Sequence, residues 1–308
     1  MRLLSVGLWY MVAGAFAFSV MSALVKAGGA TLPTMELVLG RSVGMLLLVW
    51  GTLRLRGIGL WGGERRLLVL RGVLGFIALS AFYYSVVHLP LADATVIQYT
   101  NPVWTALIAA VVLGEHLRPV EVVVSVASLL GVALVARPTF LFGGEGLGLD
   151  PLAVGVALAG AVFSAAAYVT VRRLRGEEAM VVVWYFALIS SLAALPAVVP
   201  VWVTPTPGEW GLLAAIGIST YLGQIFMTWG LQRERAGKAM AVGYLQIVFA
   251  GLWGFLFFAE VPDAWGIAGA ALVVASTLAL GRRGGTDPAG EGEPAGAGGA
   301  DAGRRAAD

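Results

Sequence analysis

Gln98, Asn101 and Thr105 follow one another at steps of three and four residues, the spacing that brings side chains onto one face of a helix. Tyr99 and Trp104 flank that stripe, and Ser80, Tyr84 and His88 repeat at four-residue steps just before it, with Tyr83 alongside. Ser164 with Tyr168, Tyr221 with Gln224, and Tyr244 with Gln246 place further amides and hydroxyls in sequence that is otherwise apolar. Such groups donate and accept hydrogen bonds, so together they could line a cavity for a polar solute. A second reading is open for the same residues. Polar side chains also tie membrane helices together, at about 0.6 kcal/mol each, and Tyr and Trp also anchor helices at the membrane surface.

A few residues could bend the chain or carry charge. Pro102 removes one helix hydrogen bond and frees the carbonyl of Gln98, either to meet a solute or to let the helix bend. Arg41 is the most deeply placed charge. It could hold an anionic group of a substrate, pair with Glu36 or Asp93, or reach out to the headgroups, and pairing or reaching out is the expectation. Arg71 and Glu121 are expected near the membrane surface in structural roles. His88 beside Asp93 offers a titratable pair for proton coupling, although a histidine satisfied within a turn is the expected role. Glu115 and Glu260 each end an apolar run and are expected to tie turns to backbone or arginine groups.

Motifs for catalysis are missing. The glycine-rich "GEGLGLD" (144–150) has no strand-to-helix setting to make it a phosphate cradle, and there is no P-loop and no HExxH. The chain has no cysteine, which excludes thiolate metal ligands and cysteine nucleophiles. No cofactor or metal is expected.

The elements that position these residues follow from composition. Of 308 residues, 59% are hydrophobic and 12% charged, against about 25% charged in a soluble domain. Crossing a bilayer takes about 20 apolar residues as a helix, and ten runs meet that need: 5–26, 34–53, 67–88, 92–113, 119–136, 151–172, 179–202, 209–231, 238–259 and 263–281. Lys and Arg cluster on alternate turns. Fourteen, from Arg2 through Arg54, Arg65, Arg118, Arg172 and Arg235 to Arg283, fall on one side, against Lys26 and Arg137 on the other. The positive side stays in the cytoplasm, so both termini are expected there, in a multi-pass protein of the cell inner (plasma) membrane. The net charge of +2 reports topology, and no nucleic-acid partner is implied. A cleaved signal peptide over the first run is the lesser reading, because the run stays apolar to Val25.

An internal repeat is also legible. A shift of 145 residues pairs Ala94 with Ala239, Tyr99 with Tyr244, Val103 with Val248, Leu107 with Leu252 and Glu115 with Glu260, without a gap. Five spans in each half would turn the second copy upside down relative to the first, a plan that recurs in secondary transporters with the solute held near the midplane.

The stretch "RGVLGFIALSAFYYSVVHLPLADATVIQYTNPVWTALIAAVVLGEHLRPVEVVVSVASLLGVALV" resembles the later part of an EamA repeat of the drug/metabolite transporter superfamily. The likeness rests on the aromatic cluster of the third run, the small-residue turn "LPLADA", the proline in mid-run and the closing "LGE". The second copy, "GKAMAVGYLQIVFAGLWGFLFFAEVPDAWGIAGAALVVAS", is similar but has Ile247 where the first has Pro102, which leaves open whether the two runs bend alike. The resemblance implies an all-α integral membrane protein of ten helices in two inverted five-helix repeats, residues 1–137 and 138–283. Residues 284–308 are expected to form a disordered cytoplasmic tail.

These readings converge on a secondary transporter for small polar metabolites, with export of amino acids or related compounds as the expected task. Its partners would be a small-molecule substrate and the lipid bilayer. Proton or ion coupling, and a monomer or a homodimer, stay open. The alternative is a membrane enzyme or lipid-handling protein that uses the same cavity without net transport.

Overall fold

The computed structural model describes residues 4–116, 118–142, 149–259 and 261–283, and among them every regular element is helical. Glu260, residues 143–148 and residues 284–308 lie outside the described residues.

Helix α1, Val6–Gly28, starts where the Ser5 hydroxyl accepts from the Leu8 amide at 3.3 Å. Helices α2 (Thr34–Leu55) and α3 (Arg65–His88) follow. Next come two short helices, α4 (Leu91–Gln98) and α5 (Asn101–Leu113), then α6 (Pro119–Ala136) and a single turn, α7 (Thr139–Phe142). In the second half, α8 (Pro151–Arg173) is capped by the Asp150 side chain, and α9 (Ala179–Val198) runs into a 3-10 turn at Val199–Val201. Helix α10 (Pro207–Arg233) opens with a capping box in which Thr206 and Glu209 satisfy each other's backbone amides. The chain then forms α11 (Ala236–Gly243), α12 (Leu245–Phe258) and α13 (Ala264–Arg283).

Nine segments of this series are long and apolar enough to cross a membrane, with α4–α5 and α11–α12 each counted as one broken span. The apolar part of α13, Ala264–Ala279, is shorter, so among the described residues nine spans of full length and one shorter helix stand where ten runs are expected. Large apolar side chains at the bundle surface, such as Trp9, Leu47, Leu55 and Phe257, are exposed, as suits a surface whose solvent is lipid.

The helices recur at one interval. Val6–Gly28 and Pro151–Arg173 begin and end 145 residues apart, as do Leu91–Gln98 and Ala236–Gly243. The starts of α2 and α9, and of α6 and α13, keep the same spacing. Helices α5 and α12 both end on a left-handed residue, Gly114 (φ 66°) and Ala259 (φ 54°), again 145 apart. The packing follows suit. α1 lies on α10 as α8 lies on α3, α2 lies on α10 as α9 lies on α3, and α2 packs on α9 and α6 on α13. At two crossings the backbones meet through glycine. A Cβ on Gly44 would stand 2.8 Å from the Cα of Gly217, and one on Gly131 would stand 2.7 Å from the carbonyl of Gly269. Small residues at such crossings let membrane helices approach closely enough to gain van der Waals contact.

Candidate functional site

Both short-helix pairs are breaks in a membrane-crossing helix, and both breaks face the centre of the bundle. In the first, Tyr99 and Thr100 part α4 from α5, and Pro102 sits in the first turn of α5. Proline has no amide to return to the Gln98 carbonyl, and the neighbouring amides tighten instead, Thr100 to Ile97 at 3.1 Å and Val103 to Thr100 at 3.0 Å. In the second, Tyr244 parts α11 from α12, and the Ile247 amide bonds the Tyr244 carbonyl at 3.1 Å. The missing proline at 247 therefore does not prevent a break at the same register.

A cavity of about 240 Å3 lies between these breaks and helices α1, α2, α3, α8, α9 and α10. Of the residues singled out from sequence, Gln98, Tyr99, Asn101, Ser164, Tyr168 and Gln224 line it, together with Pro102, Tyr244, Gln246 and Arg41. Gln98 donates to the Ser164 hydroxyl at 3.0 Å, and the Tyr99 and Tyr244 rings stack with centroids 5.9 Å apart. The Asn101 Oδ1 and the Tyr244 hydroxyl are buried without a hydrogen-bond partner.

The other candidates lie elsewhere. The Thr105 hydroxyl is buried and returns to the Asn101 carbonyl at 2.7 Å, and the Trp104 indole donates to Thr100 at 3.2 Å. Tyr83 packs among Val38, Leu39 and Ala194. Tyr84 stacks on His88 with centroids 4.0 Å apart, and the His88 Nδ1 lies 2.8 Å from the Tyr84 carbonyl. Tyr221 shares a hydrogen bond with Thr52 at 3.1 Å. Asp93 accepts from the Thr139 hydroxyl at 2.6 Å and makes no hydrogen bond or ion pair with His88.

The arginines differ most from expectation. Arg41 and Arg71 both line the cavity, 8% and 3% exposed. Neither forms an ion pair among the described residues; of the partners expected for Arg41, Glu36 accepts from the Val203 amide at 3.1 Å and Asp93 from Thr139. Arg71 donates to Gln224 at 3.3 Å and lies over the Phe186 ring at 4.4 Å. Sequence position hides its role, since it starts only about 9 Å from the end of α3 by helix rise, yet it points inward.

One end of the bundle is clasped between the halves. Glu115 accepts from Arg172 and from the Ala236 amide, both at 3.0 Å, and Arg235 pairs with Glu121 at 3.0 Å. Beneath these bonds α5 packs against α11, with Gly237 against Ala106. At the opposite end the corresponding pair, α4 and α12, makes no packing of comparable extent.

A helical bundle of membrane-crossing length, built around a cavity that sets a few amides, hydroxyls and arginines into an otherwise apolar wall between two broken helices, has the architecture of a membrane transporter. The sequence profile of the EamA-like transporter family matches residues 5–137 and again 151–282, and the chain belongs to that family. The pseudopaline exporter CntI of Pseudomonas aeruginosa is 38% identical over 91% of this chain and 97% of its own. Human solute carrier family 35 member G1 is 34% identical over 88% of this chain and 78% of its own. A solved crystal structure, 21% identical, superposes with a TM-score of 0.76 over 89% of this chain and 96% of its own, a likeness of fold.

Proposed function

We propose that this chain is a secondary transporter that moves small polar metabolites, amino acids or related compounds, out across the cell inner membrane by alternating access. The observation that carries this reading is the asymmetry of the two breaks: α5 packs on α11 at the clasped end, while α4 and α12 stand apart at the other. Halves related by an inverted repeat would exchange those two conditions, and the cavity between the breaks would then change the side it serves. The 145-residue interval of the helices and their reciprocal packing support two such repeats, 1–137 and 138–283. The clasped end carries the arginine-rich turns, so it is assigned to the cytoplasm, and the described conformation is outward-facing. The name of the bacterial relative, an exporter, supports the outward direction.

Purified chain in liposomes tests this. Movement of a polar metabolite that follows its imposed gradient, and that stops when a thiol reagent modifies a single cysteine placed at 246, is the expected result. Chemical conversion of the solute without net movement would assign the cavity to an enzyme.

A further inference from the structure

Arg41 and Arg71 each lie roughly two turns inside the N-terminal ends of α2 and α3, successive spans that cross in opposite directions, yet both line the central cavity. Both also lie within electrostatic reach of the Tyr168 hydroxyl, which lines it too. A buried guanidinium in a membrane is costly unless its charge is balanced, and among the described residues no carboxylate forms an ion pair with either arginine. Glu36 and Asp93 each give one oxygen to another partner and neither lines the cavity, and Glu115 and Glu121 are held at the clasped end by Arg172 and Arg235. The Phe186 ring and the Gln224 oxygen satisfy one side of Arg71, but its Nε and Nη1, and the Nε of Arg41, are buried with no hydrogen-bond partner. Two positive charges with free donors therefore stand over one small space.

The planar fork of arginine matches a carboxylate, two N–H groups to two oxygens. Because the two forks come from different helices and opposite ends of the bundle, two acidic groups joined by a short chain satisfy them better than one compact anion. The lining amides of Gln98, Asn101 and Gln246 can serve hydroxyl or carbonyl groups between the ends. An ammonium group, by contrast, meets no carboxylate among the described lining residues. We propose that the cavity takes organic anions with two carboxylates, one held at Arg41 and one at Arg71. This assignment rests on reading the cavity as the transport site, and it narrows the substrate from polar metabolites in general to dicarboxylates.

Thermal unfolding of the purified full-length chain in detergent tests it, using succinate, glutarate and adipate, their uncharged diamides, inorganic phosphate, and sodium chloride at matched ionic strength. A ligand that binds the folded state alone raises the midpoint. At least one dicarboxylate is expected to protect, with its diamide, phosphate and chloride inert. Arg41→Gln and Arg71→Gln should each raise the concentration needed by about 10- to 100-fold, the loss of a charge-assisted contact. Arg41→Lys and Arg71→Lys keep the charge without the fork and should fall between, and they carry the test if the glutamine variants fail to fold. Protection by diamides equal to that by the acids, stronger protection by phosphate, or none by any dicarboxylate would overturn the assignment. Uncharged solute moved through the same cavity in liposomes would overturn it while leaving transport standing. Arginine-dependent binding of a dicarboxylate by a chain that moves nothing would leave it standing and remove transport.

Discussion

The ring of Tyr99 stacks on the ring of Tyr244, centroids 5.9 Å apart and planes 24° from parallel, where each of two membrane-crossing helices is interrupted. The two residues lie 145 apart, so each half of the chain supplies one ring to the same contact. Tyr244 is fully buried, and its hydroxyl has no partner. An unpaired buried hydroxyl is a cost that removal relieves. Tyr244→Phe should therefore unfold no earlier than the parent in a thermal melt, whereas Tyr244→Ala loses the stack and leaves a void at a cost of about 3 kcal/mol or more. A phenylalanine variant that melts well below the parent would show that the hydroxyl is satisfied in the membrane.

The Glu115 carboxylate is shared between Arg172 and the Ala236 amide. Hydrogen bonds to charged groups contribute about 1.5 to 3 kcal/mol, so Glu115→Gln should shift the balance between closed and open clasp by tenfold or more. With a single cysteine at Ser164, which lines the cavity, labelling from the arginine-rich face should rise in the Glu115→Gln background. Unchanged labelling from that face would mean the clasp does not gate the cavity.

The crossing of α2 and α10 rests on glycine against glycine. A Cβ on Gly217 would stand 2.8 Å from the Gly44 Cα, while a Cβ on Gly51 of the same α2 meets nothing within 4 Å. Gly217→Leu should sharply lower the yield of folded protein, at a cost of about 3 kcal/mol or more. Gly51→Ala should be neutral or stabilising by up to about 1 kcal/mol. Monodispersity on size-exclusion chromatography separates the two outcomes.

Topology has its own check. Fourteen positive residues on one set of turns against two on the other predict that residues 143–146 lie outside the cell. An epitope tag inserted there should bind antibody on intact cells. A tag reached only after permeabilisation would reverse the assignment of the clasped end.

How far the sequence foretells these features depends on what kind of signal each one leaves. The apolar runs mark the helices well, since a span must be apolar over most of its length whatever it packs on. The break at Pro102 leaves a residue-level mark, whereas the break at Tyr244 has no proline and is visible through its register with Tyr99. Helical periodicity places Thr105 with Asn101, but it assumes a straight helix. With the chain unwound at Tyr99 and Thr100, Trp104 and Thr105 turn their polar atoms back onto the backbone or the preceding turn. Tyr83, Tyr84 and Tyr221 are polar by type, yet an aromatic ring is mostly apolar surface, and theirs pack within the bundle. Arg71 is missed because depth along a helix says nothing of which way a long side chain turns, whereas Arg41 is named as a candidate but expected to pair or reach outward, and the structure turns it to the cavity instead.

Under the proposed alternating access, one cavity between the two broken helices serves both sides of the membrane in turn. The most direct measurement uses this cysteine-free chain with a single cysteine at Asn101 or at Gln246, one from each half and both on the cavity wall. A small water-soluble thiol reagent is applied from one side at a time to oriented vesicles. Each site should label from either side, more slowly from the clasped face, with transported solute protecting both. Labelling from one side alone in a chain that still transports, or no labelling at all, would contradict the claim.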